Sequence, residues 1–250
     1  MREKLIALSM IKKGNWSEIH RFLRQDSDLN SIDDLIACQL VDQLNCEVVT
    51  IIDAHYPDVW REMSKPPFVV YLKGNCELLT SCIVAVVGGK MVSEYAKKAI
   101  RVLIKQLPVD VSVATGLERG IEVYSNKFAK SRIVCLATGF LTDDLYRKHE
   151  IYDQLTKEDL IISELPPNTK FDLQAYYRSY HLITELSQIV CVFELPSFDL
   201  RVKYLKYLTE VGKLVVVLPD KKNKNTAGGL GLINFGAKCL LKPSDVLNLL

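Results

Sequence analysis

Two glycine-rich segments carry the residues best suited to holding an anion. Gly88-Gly89-Lys90 follows the apolar run Ile83–Val87 and precedes a helical pattern opening near Ser93. A glycine turn feeding a helix N-terminus presents backbone N–H groups and the positive end of a helix dipole, which suits phosphate. Lys90 adds a point charge. The structural alternative stands beside it, since a tight strand-to-helix turn needs glycine for its own sake. Neither the G-x-G-x-x-G fingerprint nor the Walker pattern is present. The second segment is Thr115-Gly116-Leu117-Glu118-Arg119-Gly120-Ile121-Glu122, ahead of a helix expected over about 119–130. Arg119 at that start opposes the helix dipole unless an anion offsets it. A ligand phosphate would do so, and so would Glu118 or Glu122 in a purely structural ion pair.

Aromatic and cationic residues interleave in Tyr176-Tyr177-Arg178-Ser179-Tyr180-His181. Such a cluster can stack bases and pair phosphates of a single strand, or it can anchor a loop by aromatic packing. Lys221-Lys222-Asn223-Lys224-Asn225 is a basic loop, either solvated or touching a polyanion. His181 has no second His or Cys at ligand spacing, so no metal role is expected. No Ser/His/Asp set, nucleophile elbow or acid/base pair of carboxylates is found, and no cofactor is implied. The seven cysteines include no Cys-x-x-Cys pair. They read as reduced thiols, with Cys135 and Cys191 inside apolar runs as small buried hydrophobes.

The elements that must position these residues follow from periodicity. Residues 1–45 read as short helices broken at Gly14-Asn15, with Ser31 expected to cap the third and Asp33 and Asp34 in its first turn. Strands are expected at 48–52 and 68–72, the latter ended by Lys73-Gly74-Asn75. Apolar strands then recur at 83–87, 109–114, 132–137, 160–163, 189–194 and 214–218, with helical patterns between most of them. The clearest helix is 92–107, where Ala96, Ile100, Leu103 and Leu107 share a face. Continuous apolar strands alternating with amphipathic helices imply an α/β, Rossmann-like, mostly parallel sheet with helices on both faces, preceded by a small helical N-terminal segment. Ligands of such a sheet bind outside the carboxyl ends of the strands. The loops after Val87, Ala114, Ala137, Ser163, Glu194 and Leu218 are therefore the ones that matter.

A chain of 250 residues with 48% hydrophobic and 25% charged content is an ordinary globular protein. A net charge of +2, from 32 Lys+Arg against 30 Asp+Glu, neither requires nor excludes nucleic acid. No apolar run reaches the roughly 18 residues of a membrane span, and the N-terminus has no signal-like h-region, so a cytoplasmic protein is expected.

Several motifs, in order, resemble the DNA-processing protein A (DprA/Smf) family. They are Tyr56-Pro57 ahead of Pro66-Pro67, Tyr71-Leu72-Lys73-Gly74-Asn75-Cys76-Glu77-Leu78-Leu79, Val87-Gly88-Gly89-Lys90, the Thr115–Glu122 segment, and Ser163-Glu164-Leu165-Pro166-Pro167-Asn168-Thr169. The similarity runs over about residues 47–241. It divides the chain into a small helical region, 1–45, and a DprA-like extended Rossmann domain, 46–250. The chain departs from the family where Phe-Pro-x-Arg-Asn-Arg-Ile-Ile is expected, having Tyr176–Ile183 instead. It departs again where Ser-Gly-Ser-Leu-Ile-Thr becomes Asp199–Tyr204, and where a Gly-Thr/Cys-Asn stretch becomes Gly228–Ile233.

The resemblance implies a non-enzymatic protein that binds and protects single-stranded DNA and helps load a RecA-type recombinase in transformation and recombination. It also implies a possible homodimer through the apolar C-terminal region. Phosphates would settle on Gly88, Gly89, Lys90, Thr115, Gly116, Arg119 and Gly120, with Arg178, His181, Arg201 and Lys203 as a rebuilt cationic rim. Two alternatives stay open. One is a scaffold whose DNA site has decayed. The other is a nucleotide phosphoribohydrolase of the LOG type, resting on the glycines of Ala227-Gly228-Gly229-Leu230-Gly231.

Overall fold

The structure, a computed structural model, describes residues 1–25, 29–117, 120–140, 152–220 and 223–250. In chain order the main elements are α1 (Arg2–Ile11), α2 (Trp16–Arg24), α3 (Asp34–Asp42), β1 (Glu47–Thr50), α4 (Asp58–Arg61), β2 (Val69–Gly74), β3 (Cys82–Gly88), α5 (Glu94–Gln106), β4 (Val111–Gly116), α6 (Ile121–Asn126), β5 (Arg132–Leu136), β6 (Leu160–Ser163), α7 (Leu173–Leu186), β7 (Ile189–Phe193), α8 (Arg201–Glu210), β8 (Leu214–Val217), α9 (Ala227–Ile233) and β9 (Lys238–Cys239). They gather into two compact units, Met1–Cys76 with Leu136–Ser179, and Glu77–Cys135 with Tyr180–Leu250. Among the described residues no helix is long and apolar enough to cross a membrane.

The second unit holds the parallel sheet. Its strands lie in the order β5-β4-β3-β7-β8-β9, and every pairing is parallel. Counted in chain order this is 3-2-1-4-5-6, the dinucleotide-fold arrangement in which the winding reverses between the first and fourth strands, here β3 and β7. The strands are buried along nearly their whole length, which a sheet covered on both faces demands. On one face Val84, Val86, Val113, Cys191 and Phe193 pack with Ala96, Ile100 and Leu103 of α5. Ser93 starts α5, its hydroxyl accepting the Ala96 N–H at 3.1 Å. Cys191 behaves as a buried hydrophobe, and burial pushes its thiol up to about 12.

The first unit is antiparallel. β2 pairs with β1 (Val49↔Val70) and with β6 (Tyr71↔Ser163). Ala7, Leu8, Ile19, Ile32 and Ala37 form the core of its helical head, with Phe68 packed against them. Several family-like motifs are braces in this unit. Tyr56 donates its hydroxyl to the Pro67 carbonyl at 2.8 Å, tying Tyr56-Pro57 to Pro66-Pro67. Gly74, at φ +109°, brings its backbone so close to the Asp159 carbonyl that a Cβ would collide with it. Asn75 N–H donates to that same carbonyl at 3.0 Å.

Three local expectations are corrected. Asp33, not Ser31, caps α3, accepting the N–H groups of Leu35 and Ile36, while Ser31 ends a short 3₁₀ turn. The helix expected over 119–130 is α6, confined to Ile121–Asn126. The Tyr176–His181 segment, where a packed loop is one expectation, lies inside α7; Asp172 starts it by accepting the Ala175 N–H at 2.8 Å.

Candidate nucleic-acid interface

Gly88, Gly89, Lys90 and Gly120 meet in the parallel unit, at the carboxyl ends of β3 and β4. The Gly89 N–H donates to the Glu194 carbonyl at 3.1 Å, and the Ile121 N–H donates back to the Gly89 carbonyl at 3.2 Å. A Cβ on Gly88 would lie 2.6 Å from Ile121 Cγ1, and one on Gly120, whose φ is +68°, 2.6 Å from the Lys90 carbonyl oxygen. The glycines are thus required by backbone approach. Lys90 itself is exposed.

The N-terminus of α5 is taken by the protein's own carboxylate. Glu194, at φ +40°, accepts the Ser93 N–H at 2.9 Å and the Ser93 hydroxyl, and the Asn223 amide donates to it at 2.7 Å. The backbone dipole that the sequence offers to a phosphate is therefore complemented from within.

A second carboxylate organises the next corner. Buried Glu122 accepts the Tyr180 hydroxyl and pairs with Arg201 at 3.0 Å. Arg201, 5% exposed, also grips Asp199 at 2.8 and 2.7 Å and donates to the Gly88 carbonyl at 2.8 Å, with its guanidinium 4.3 Å from the Tyr180 ring centroid. Burial pushes the Asp199 carboxyl up, against the pull of the Arg201 N–H and of the Lys90 charge. The sequence offers Glu122 as a partner for Arg119; among the described residues Glu122 pairs with Arg201 of another loop. Arg119, Lys221 and Lys222 fall outside the described residues. Thr115 is fully buried, its hydroxyl accepting the Asn126 amide at 2.7 Å, and Gly116 is buried beside Glu122. His181 stacks on Tyr204 with centroids 3.6 Å apart. Lys203 is exposed on α8.

Arg178 belongs to the antiparallel unit. Its guanidinium forks onto Glu164, with Nε to Oε2 at 2.7 Å, and lies 5.7 Å from the Trp16 ring centroid. A cavity of about 940 Å³ opens there, with Lys12, Lys13 and Lys170 among its lining residues. The glycine run 228–231 forms part of helix α9, with Gly228 and Gly229 buried, so the turn that a LOG-type reading needs is absent from that stretch. Sequence reasoning missed Glu194 and the Arg201 network. The signals were a carboxylate at a strand end and an acidic residue two before an arginine, neither of which is distinctive by itself.

Glycine corners at the reversal point of a 3-2-1-4-5-6 parallel sheet define a Rossmann-like α/β protein, a class whose ligands sit outside the carboxyl ends of the strands flanking that point, here β3 and β7. A family model for DNA recombination-mediator protein A matches residues 47–250, and the chain belongs to that family. It is 26% identical over 97% of its length to Protein Smf of Synechocystis sp., and spans 63% of that relative. Among solved structures it is similar to DNA processing protein A (DprA) of Streptococcus pneumoniae, with TM-score 0.82, 22% identity, and coverage of 99% of this chain and 97% of the other. It is also similar to DNA processing protein A of Helicobacter pylori, a protein with a unique single-stranded DNA binding mode, with TM-score 0.71, 19% identity, and coverage of 82% of this chain and 95% of the other.

Proposed function

We propose that this chain binds and protects single-stranded DNA and assists a RecA-type recombinase in recombination or transformation, as a non-enzymatic DNA-processing protein. The observation that carries the reading is the rim of the β3/β7 switch point. Exposed Lys90 follows the glycine corner there, with Lys203 exposed near the start of α8, in a chain of the recombination-mediator family. Arg201 acts from within, holding the corner's shape. Work of this kind needs positioned charge and breaks no bond. Affinity should fall steeply with salt as counterions leave the phosphates.

Fluorescence anisotropy with a labelled oligothymidylate at low salt tests the reading, and absence of binding overturns it. One observation favours a second reading, a scaffold with a decayed DNA site: Glu194 fills the α5 N-terminus that a phosphate would use. Capture of a recombinase without any oligonucleotide binding would support that scaffold. Dimerisation through the C-terminal region belongs to the same proposal and is read by sedimentation.

A further inference from the structure

We infer that Phe198 is a base-stacking platform for single-stranded nucleic acid at the switch point of the sheet; this rests on the DNA-binding reading above and adds a specific contact to it. The loop after β7 leaves Phe198 85% exposed and Leu200 68% exposed, and the loop after β3 leaves Met91 69% exposed. The two loops touch, since Gly89 donates to the Glu194 carbonyl and a Cβ on Gly89 would stand 3.3 Å from Pro196 Cδ. Three large apolar side chains in water on adjoining loops form a surface that gains by being covered, since apolar area is driven out of water.

The loop is not loose around Phe198. On one side Gly228 and Gly229 donate to the Leu195 carbonyl at 2.8 and 3.2 Å, and Asp199 N–H donates to the Pro196 carbonyl at 3.1 Å. On the other side Arg201 locks Asp199 to the Gly88 carbonyl and to Glu122. The backbone is clamped before and after Phe198 while its ring is held outward. A rigid exposed ring pays little ordering entropy on contact.

Charge selects the occupant. Exposed Lys90 is close enough to act electrostatically on Asp199, the residue after Phe198, and Asp199 is already matched by Arg201. An exposed ring beside an uncommitted cation is the arrangement that takes a base on the ring and its phosphate on the lysine, without sequence preference.

The test uses the whole chain and two fluorescent probes of equal length, an oligothymidylate and the same backbone carrying abasic sites. The native chain should bind the oligothymidylate more tightly. Phe198→Ala should weaken that probe by about 5- to 150-fold, the range of one stacked base. It should leave the abasic probe unchanged, and Phe198→Trp should restore the preference. Unaltered thermal melting of the variants verifies the fold. Equal binding of oligothymidylate by Phe198→Ala and the native chain overturns the inference, as does an equal loss on both probes. Failure of the native chain to bind either probe instead removes the DNA-binding reading itself.

Discussion

Arg201 in the parallel unit and Arg178 in the antiparallel unit face the same problem at different depths. Arg178 forks onto Glu164, whereas Arg201 forks onto neighbouring Asp199 and adds a single bond to distant Glu122; each has an aromatic ring beneath it. Arg201 is 5% exposed and its side chain closes a hub of two carboxylates and a backbone carbonyl; the Arg178 side chain is 15% exposed and has one carboxylate. Lys90 and Lys203, in contrast, stand in water. Planar, weakly hydrated guanidinium suits buried forks, and compact ammonium suits a solvated rim. Arg201 braces the loops of the parallel unit from within, while Lys90 on one of them stays exposed.

The comparison is broken or sharpened by four measurements. Arg201→Ala strands the 1%-exposed Glu122 carboxylate and should destabilise by about 3–5 kcal/mol, read by urea unfolding. A loss no larger than that of a surface substitution would sink the distinction between the two roles. Arg178→Ala should cost less, about 1–3 kcal/mol, because water reaches its site and can replace part of the pair.

Third, Asp53 tests a pair at the antiparallel unit's rim. Burial works to raise its pKa, but the Thr50 N–H and Arg2 outweigh burial and hold it below the ordinary carboxylate value. A depressed folded-state pKa gives stability that is complete above the unfolded value, about 3.9, and is lost as pH falls through the folded one. Asp53→Asn should therefore flatten the acid limb of a stability–pH curve and lower the plateau near neutrality. Fourth, Lys90→Ala should leave stability within about 0.5 kcal/mol, while lowering oligonucleotide affinity and reducing the salt slope by about one.

The parallel strands were legible because continuous apolar runs fix them within a residue or two: 83–87 became Cys82–Gly88, and 132–137 became Arg132–Leu136. Ser93 was legible as a helix start because a cap is a local event. What stayed hidden was long-range. Nothing near Glu122 points to Arg201, 79 residues on, and nothing near Arg178 points to Trp16. Asp33 displaced Ser31 because both are good caps and only the path of the preceding turn decides between them. At the candidate site, the sequence offers the glycines as a phosphate corner or as a tight turn, and their close approach to neighbouring backbone is visible only in three dimensions; side chains that look alike in sequence, Lys90 and Arg201, lie one exposed and one buried.

Glu194 gives the molecule a resident counter-ion. With Ser93 and Asn223 saturating its carboxylate, the start of α5 needs nothing from solution to be complete. Small oxyanions such as phosphate or sulfate should then compete with a nucleic-acid strand only through ionic strength. On the DNA-binding reading proposed above, the edge would discriminate by polymer length, because recognition would then rest on the side chains around the helix terminus and not on the terminus itself.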